Sequence, residues 1–208
     1  MNYLVNIYLS QFLDSREKLI GNFIGEFVKS SKYSNIPFPI VEGIFINNRL
    51  LSFMKGHPAV IRSRKRINPR FNKYSLDIVQ LFYGHLLAKN WRSLNKGHET
   101  DYEEAVNNVY YALIENFDAV PYKLRKMLPS LISSNGLWNI STIGGLHNFI
   151  VELSSKGFCV ANLQNSLQDL MHEYSAFEED SKEFFRDFEK FAESLVQEKM
   201  QHVLAHAS

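Results

Sequence analysis

The stretch SLDIVQLFYGHLLAKNW, Ser75–Trp91, decides the fold class. Ile78, Leu81, Phe82, His85, Leu86 and Ala88 recur with the 3.6-residue period of a helix, and Ser75 stands where a side chain can cap its first turn. Apolar residues surround almost the whole helix rather than one stripe, which is the pattern of an element at the centre of a core.

Working outward, the neighbouring segments show the same period. Upstream, Leu19, Ile20, Phe23, Ile24, Phe27 and Val28 share one face of a helix starting at Arg16, with Asp14 or Ser15 as its cap. From Pro39 the run IVEGIFINNRLLSFM is helical in spacing, Gly43 being its weak point, and ends near Lys55–Gly56. Downstream, helices are predicted over Tyr102–Asn116, Tyr122–Ser133, Thr142–Ser154 and Asn162–Tyr174, and a last one over Ser175–His206. No fixed-period repeat or low-complexity linker divides the chain, so residues 1–208 read as one all-α, multi-helix domain.

Composition agrees. In 208 residues, 45% are hydrophobic and 22% charged, which excludes a disordered chain, and 10 Gly with 6 Pro are too few for a turn-rich β fold. The 23 basic and 22 acidic side chains nearly cancel, which argues against a protein that seeks polyanions over its whole surface. Cys159 is the single cysteine, so neither an internal disulfide nor a cysteine-rich zinc site is available. The N-terminal stretch lacks a basic region and is interrupted by Asn6, Ser10 and Gln11. With no later run of ~18 apolar residues, a soluble, cytoplasmic protein without membrane segments is expected.

Generic catalytic motifs are absent: there is no phosphate-binding glycine loop, nucleophile elbow or His-Glu-x-x-His pair. Of the histidines, His202 and His206 share an i, i+4 face at the chain's end, and His98 lies in a polar loop; neither position is assigned a metal. His85 stands alone on the apolar helix and has two readings, a core imidazole bonded to backbone or a catalytic group. Glu26 and Glu42 interrupt apolar stretches, where a carboxylate needs either a partner or a solvated edge.

Four segments carry a more specific signal: MNYLVNIYLS (Met1–Ser10), GNFIGEFVK (Gly21–Lys29), GIFINNRLLSFMKGHP (Gly43–Pro58) and QLFYGHLLAKNW (Gln80–Trp91). In order and spacing they resemble the acyl carrier protein phosphodiesterase family, whose members read MNFLAHLxLS, GNFxxDFVK, GIxxHRxIDxFTDxHP and DxxxDHFLAxxW. The resemblance covers about the first 91 residues. It implies a helical fold related to HD-type metal phosphohydrolases, a manganese-type divalent ion, and hydrolytic removal of phosphopantetheine from holo-acyl carrier protein.

The departures fall on the residue types that such chemistry needs. Asn6 replaces the first block's His, and Glu26 replaces the Asp of the second. Asn47 and Asn48 replace the His-Arg pair, Leu51 and Lys55 replace the two Asp that follow, and Gln80 and Gly84 replace both Asp of the fourth block. His57 and His85 persist, as do the framework residues Gly21, Asn22, Phe23, Gly43, Pro58 and Trp91. Neutral amides are weak ligands for a hard cation, and Leu or Gly offers no side-chain ligand at all. Glu26 and His85 therefore stand as a residual catalytic pair, with Asn6, Asn47, Asn48, Leu51, Lys55, Gln80 and Gly84 as degenerate site positions. No metal ligand or cofactor is assigned, manganese being expected only if hydrolysis is retained.

The segment after Pro58 carries Arg62, Arg64, Lys65, Arg66, Arg70 and Lys73 without an acid. It is either a solvated face or a surface for an acidic partner, and an acidic acyl carrier protein ranks above nucleic acid because no nucleic-acid motif accompanies it. Phe177, Phe184, Phe185, Phe188, Phe191 and Leu195 on the last helix either close the monomer's core or mediate a homodimer.

Overall fold

The structure is a computed structural model that describes residues 3–28, 36–95, 100–157 and 162–206, with the side chains of 5–195 within those ranges. Cys159, His98 and the side chains of His202 and His206 lie outside the described residues. Every regular element among them is helical: α1 (Tyr3–Leu9), α2 (Arg16–Ile24), α3 (Phe38–Gly56), α4 (Pro58–Arg66), α5 (Ser75–Lys89), α6 (Trp91–Leu94), α7 (Tyr102–Glu115), α8 (Tyr122–Ser133), α9 (Ile143–Ser155), α10 (Leu167–His172) and α11 (Tyr174–His206).

Of the two candidate caps for α2, Ser15 takes the role: its backbone is extended and its hydroxyl accepts the Lys18 N–H at 3.2 Å. Asp14 instead pairs with the Lys18 ammonium. The helix buries Leu19, Ile20, Phe23 and Ile24 and then tightens into a 3-10 turn at Gly25–Phe27, so it stops short of the Val28 that its apolar spacing suggested.

Helix α2 makes its most extensive packing against α3. The two cross at Gly21 and Gly43: a Cβ at Gly21 would lie 1.9 Å from the Ile40 carbonyl oxygen, and one at Gly43 would lie 2.1 Å from that of Lys18. Gly43 is thus not a weakness of α3. Its propensity cost, about 1 kcal/mol, is offset by the backbone contact that only two glycines permit.

His57 separates α3 from α4 and caps the latter, its Nδ1 accepting the Ala59 N–H at 3.2 Å, with Pro58 in the first helical turn. Helix α5 is central, as its composition predicts: every residue from Ile78 to Ala88 is buried, and α1, α4, α11 and the 3-10 turn Asn139–Ser141 pack around the helix. The expected cap is corrected, however. Ser75 is already helical, the preceding Tyr74 makes no side-chain cap, and the Ser75 hydroxyl accepts from Arg64 Nε at 3.1 Å.

The helix predicted over Asn162–Tyr174 begins only after Asn162, which adopts a left-handed backbone (φ 67°), runs as a 3-10 turn, Leu163–Ser166, into α10, and ends where Glu173 leaves helical geometry. Helix α11 then buries Phe177, Phe184, Phe185 and Phe188 inside the chain, where Phe184 and Phe185 meet Tyr83 and Tyr8. Those phenylalanines close the chain's own core; they do not form an exposed stripe for a second copy.

Candidate functional site

The family-like blocks fall on α1, on α2 with its following turn, on α3 and on α5–α6. Their aligned polar positions are unusual for a helical core. Asn6 and Gln80 are buried, and Asn22 and Asn47 are 0% exposed. Asn6 Nδ2 donates to the Asn22 carbonyl at 3.3 Å across α1 and α2. The Asn47 side chain lies against Gly25, one turn beyond Asn22, where an added Cβ would come 2.9 Å from Asn47 Oδ1. Asn6 Oδ1 and all four side-chain polar atoms of Asn22 and Asn47 lack a hydrogen-bond partner in the protein. Buried amides in that condition cost stability, so their presence is not explained by packing.

The other aligned positions do not join them. Asn48 and Lys55 are exposed on α3, Leu51 is half-buried, and Gly84 is buried on α5. Glu26 is exposed on the 3-10 turn after α2. His85 is buried, with Nδ1 2.6 Å from the Ile140 carbonyl, which can only accept; Nδ1 therefore carries the proton. Nε2 accepts from the Tyr174 hydroxyl at 2.9 Å, and that oxygen receives the Lys89 ammonium at 2.9 Å. Burial pushes the His85 pKa down, and the backbone bond opposes this in part. Both ring nitrogens go to Ile140 and Tyr174, not to Glu26.

The basic segment is partly spent inside the chain. Asp180 on α11 is buried and receives Arg62 Nε at 2.9 Å, Ser63 Oγ at 2.9 Å and Arg66 Nη1. Because Ser63 gives its proton to Asp180, Tyr83 donates to Ser63 at 2.9 Å; burial raises the Tyr83 pKa and keeps that phenol protonated. Glu183 and Glu173 take the outer faces of Arg62 and Arg66. Arg64 turns to Ser75, while Arg70 and Lys73 lie over the rings of Phe71 and Tyr74. Lys65, Arg70 and Lys73 are the exposed remainder. His57 is likewise structural: beyond its cap, Nε2 lies 3.5 Å from Asp187 and the ring packs on Phe53 and Phe184.

Sequence reasoning missed Asn22 as a member of the amide group, although it was visible as a retained framework residue. It also missed Asp180, Ser63, Tyr83 and Tyr174, whose partners lie far away in the chain and leave no local pattern.

The ordered blocks fall on the helices of an all-helical protein and meet at the polar group between α1, α2 and α3. The family model described as acyl carrier protein phosphodiesterase matches residues 1–188, and the chain belongs to that family. Among relatives, the acyl carrier protein phosphodiesterase of Pectobacterium atrosepticum is 22% identical over 178 residues, covering 86% of this chain and 90% of its own. That of Klebsiella pneumoniae is 21% identical over 194 residues, covering 93% and 98%. A Yersinia pestis relative of the same name is 28% identical over 94 residues, 45% of this chain and 48% of its own. No solved structure matches the chain.

The divalent ion implied by the resemblance does not fit the residues present. A hard cation needs several oxygen ligands including carboxylates, whereas the buried group offers the neutral amides of Asn6, Asn22 and Asn47. Among the described residues, no three His, Cys, Asp or Glu side chains come together to hold a metal ion. No helix among them is long and apolar enough to cross a membrane.

Proposed function

We propose that this chain is a chemically altered member of the acyl carrier protein phosphodiesterase family, a single domain on an HD-type scaffold that engages carrier protein in the cytoplasm without hydrolysing its phosphopantetheine arm. The observation that carries this reading is the burial of Asn6 and Asn47, with Asn22, at the centre of the retained motifs. Hydrolysis of a phosphodiester by a bound cation requires ligands that hold the ion and lower the pKa of an attacking water. Amides carry no charge to do so. The former pair Glu26 and His85 is separated in role: one carboxylate faces solvent, and one imidazole is bonded on both sides within the core.

The family name and the nearly full-length coverage favour carrier protein as the partner class. The test measures phosphopantetheine release from holo-acyl carrier protein by the purified chain, with manganese and with a chelator, beside an active relative. Binding is followed separately by calorimetry at low salt. The expected result is measurable binding and no release. Manganese-dependent release would overturn the loss of catalysis, and absence of binding would remove the carrier protein as partner.

A further inference from the structure

Among the described residues other than glycine, Asn135 (φ 51°) and Asn162 (φ 67°) have a left-handed backbone, which asparagine tolerates better than most side chains. Asn135 closes the end of α8. Its N–H donates to the Ile132 carbonyl at 3.2 Å, and the next N–H, of Gly136, reaches back to the Leu131 carbonyl at 3.1 Å. Those two bonds make a Schellman cap, with Asn135 in the left-handed position that glycine usually holds. The Asn135 carbonyl accepts the Asn139 N–H at 3.1 Å, so the main chain is tied on both sides of the turn. Asn135 is exposed, whereas Gly136 is buried beside the side chains of Leu131 and Phe149.

This dipeptide carries a chemistry of its own, and it is the only Asn-Gly pair in the sequence. The backbone nitrogen that follows an asparagine can attack the side-chain Cγ and close a five-membered succinimide; the Cγ–Nδ2 bond breaks and Nδ2 leaves as ammonia. Solvent water then opens the ring at either carbonyl, giving aspartate or isoaspartate. Glycine in second place leaves the attacking nitrogen unhindered and the chain mobile enough for ring closure, whereas Asn162 is followed by the branched Leu163. The attack requires the Gly136 nitrogen to give its proton to solvent and to turn toward Cγ. In the native cap that proton is donated to Leu131 and the residue lies out of solvent.

We propose that Asn135–Gly136 is a self-modifying deamidation site, locked by the Schellman cap of α8 and reactive only when that cap opens. Because the reaction runs from the opened form, its rate follows the population of that form. Its products weaken the cap. Isoaspartate adds a methylene to the main chain between the Asn135 Cα and Gly136, so the Gly136 N–H no longer meets the Leu131 carbonyl, and a transient opening becomes permanent. Aspartate keeps the backbone but sets a carboxylate at the negative end of the α8 dipole, next to Ser134, whose hydroxyl already donates to Glu152 at 2.8 Å.

The test incubates the full-length protein at mildly alkaline pH, in buffer and in guanidinium chloride, and follows each asparagine by peptide mapping with mass spectrometry, with chromatography to separate isoaspartate from aspartate. The expected result is that Asn135 converts fastest of all in denaturant and slower by about tenfold or more in the folded chain, the ratio being set by the free energy of opening the cap. Hydrogen exchange at the Gly136 amide reads that opening directly, and its protection should match the slowing. Converted protein returned to buffer should show a lower urea midpoint. Asn135→Gly, which suits the left-handed position and removes the amide, should give no product there and a midpoint at or above that of wild type. Equal rates in the folded and denatured chains, or a slowing unrelated to Gly136 protection, overturn the lock. A rate at Asn135 in denaturant no higher than at Asn162 overturns the site, and an unchanged midpoint in the isoaspartate form overturns its effect on the cap.

Discussion

Asn6 Nδ2 donates across α1 and α2 to the backbone carbonyl of Asn22 at 3.3 Å, while the side-chain amides of Asn22 and of nearby Asn47 find no partner in the protein. A buried amide without a hydrogen bond costs about 1–3 kcal/mol. Leu matches Asn in branching at Cγ and has no polar group to desolvate. The Asn47→Leu variant is therefore expected to be more stable than wild type by about 1 kcal/mol, read as a higher urea midpoint with an unchanged slope. A clear loss of stability would show that the Asn47 amide is held by a group other than this protein, and the view of these amides as unsupported would fall.

The crossing of α2 and α3 makes the opposite demand. A methyl group at Gly43 meets the Lys18 carbonyl oxygen at 2.1 Å, and both partners are backbone, so relief requires the helices to part. Gly43→Ala is expected to destabilise by about 3 kcal/mol or more. Gly56, at the end of the same helix, has nothing within 4 Å of its would-be Cβ. Gly56→Ala should be neutral or stabilising by up to about 1 kcal/mol, and comparable losses at both sites would refute the close-approach argument.

Asp180 ties α11 to α4 through Arg62, Ser63 and Arg66. Removing a buried partner of an ion pair leaves its charge uncompensated, although here Arg62 and Arg66 keep partial solvent contact and the outer carboxylates of Glu183 and Glu173. Asp180→Ala should cost about 2–3 kcal/mol, below the range for a fully buried pair. A double-mutant cycle with Arg66→Ala should return a coupling of about 1–2 kcal/mol; a value near zero would make the clamp a spectator.

These examples separate what periodicity records from what packing decides. The spans of α5, α7, α8 and α9 are legible because a helix is read from residues three and four positions apart, and Ile78 to Ala88 needs only its own neighbours to be recognised as central. Arg62 and Asp180 are separated by 118 positions, and nothing in either local sequence announces the other. Gly43 is misread for the same reason: intrinsic propensity counts its cost, while the compensating contact belongs to Gly21 and Lys18 on another helix. At the site, the motif blocks identified Asn6 and Asn47, yet the exposure of Glu26 and the double engagement of His85 depend on turns and on Ile140 and Tyr174. Those contacts appear only when the chain is folded.

His85 also predicts an acid response with a defined sign. Burial holds its pKa below the ordinary 6.5, so the unfolded chain binds this proton more readily than the native one. The stabilising contribution is complete above the unfolded value and is lost as pH falls through about 6.5 toward the lower native pKa, with a slope of at most about 1.4 kcal/mol per pH unit. Glu178 acts lower: the hydrogen bond from Asn90 at 3.1 Å is the main cause of its depressed pKa, so its contribution is present above about 4.5 and is lost as pH falls through the native value. Urea midpoints measured from pH 8 to pH 4 should therefore begin to decline below about 6.5 in wild type. In His85→Leu the baseline should drop, because the Ile140 carbonyl and the Tyr174 hydroxyl lose their partner, but the decline just below pH 6.5 should flatten. An undiminished decline in that variant would assign the acid sensitivity to another group and refute the buried neutral imidazole.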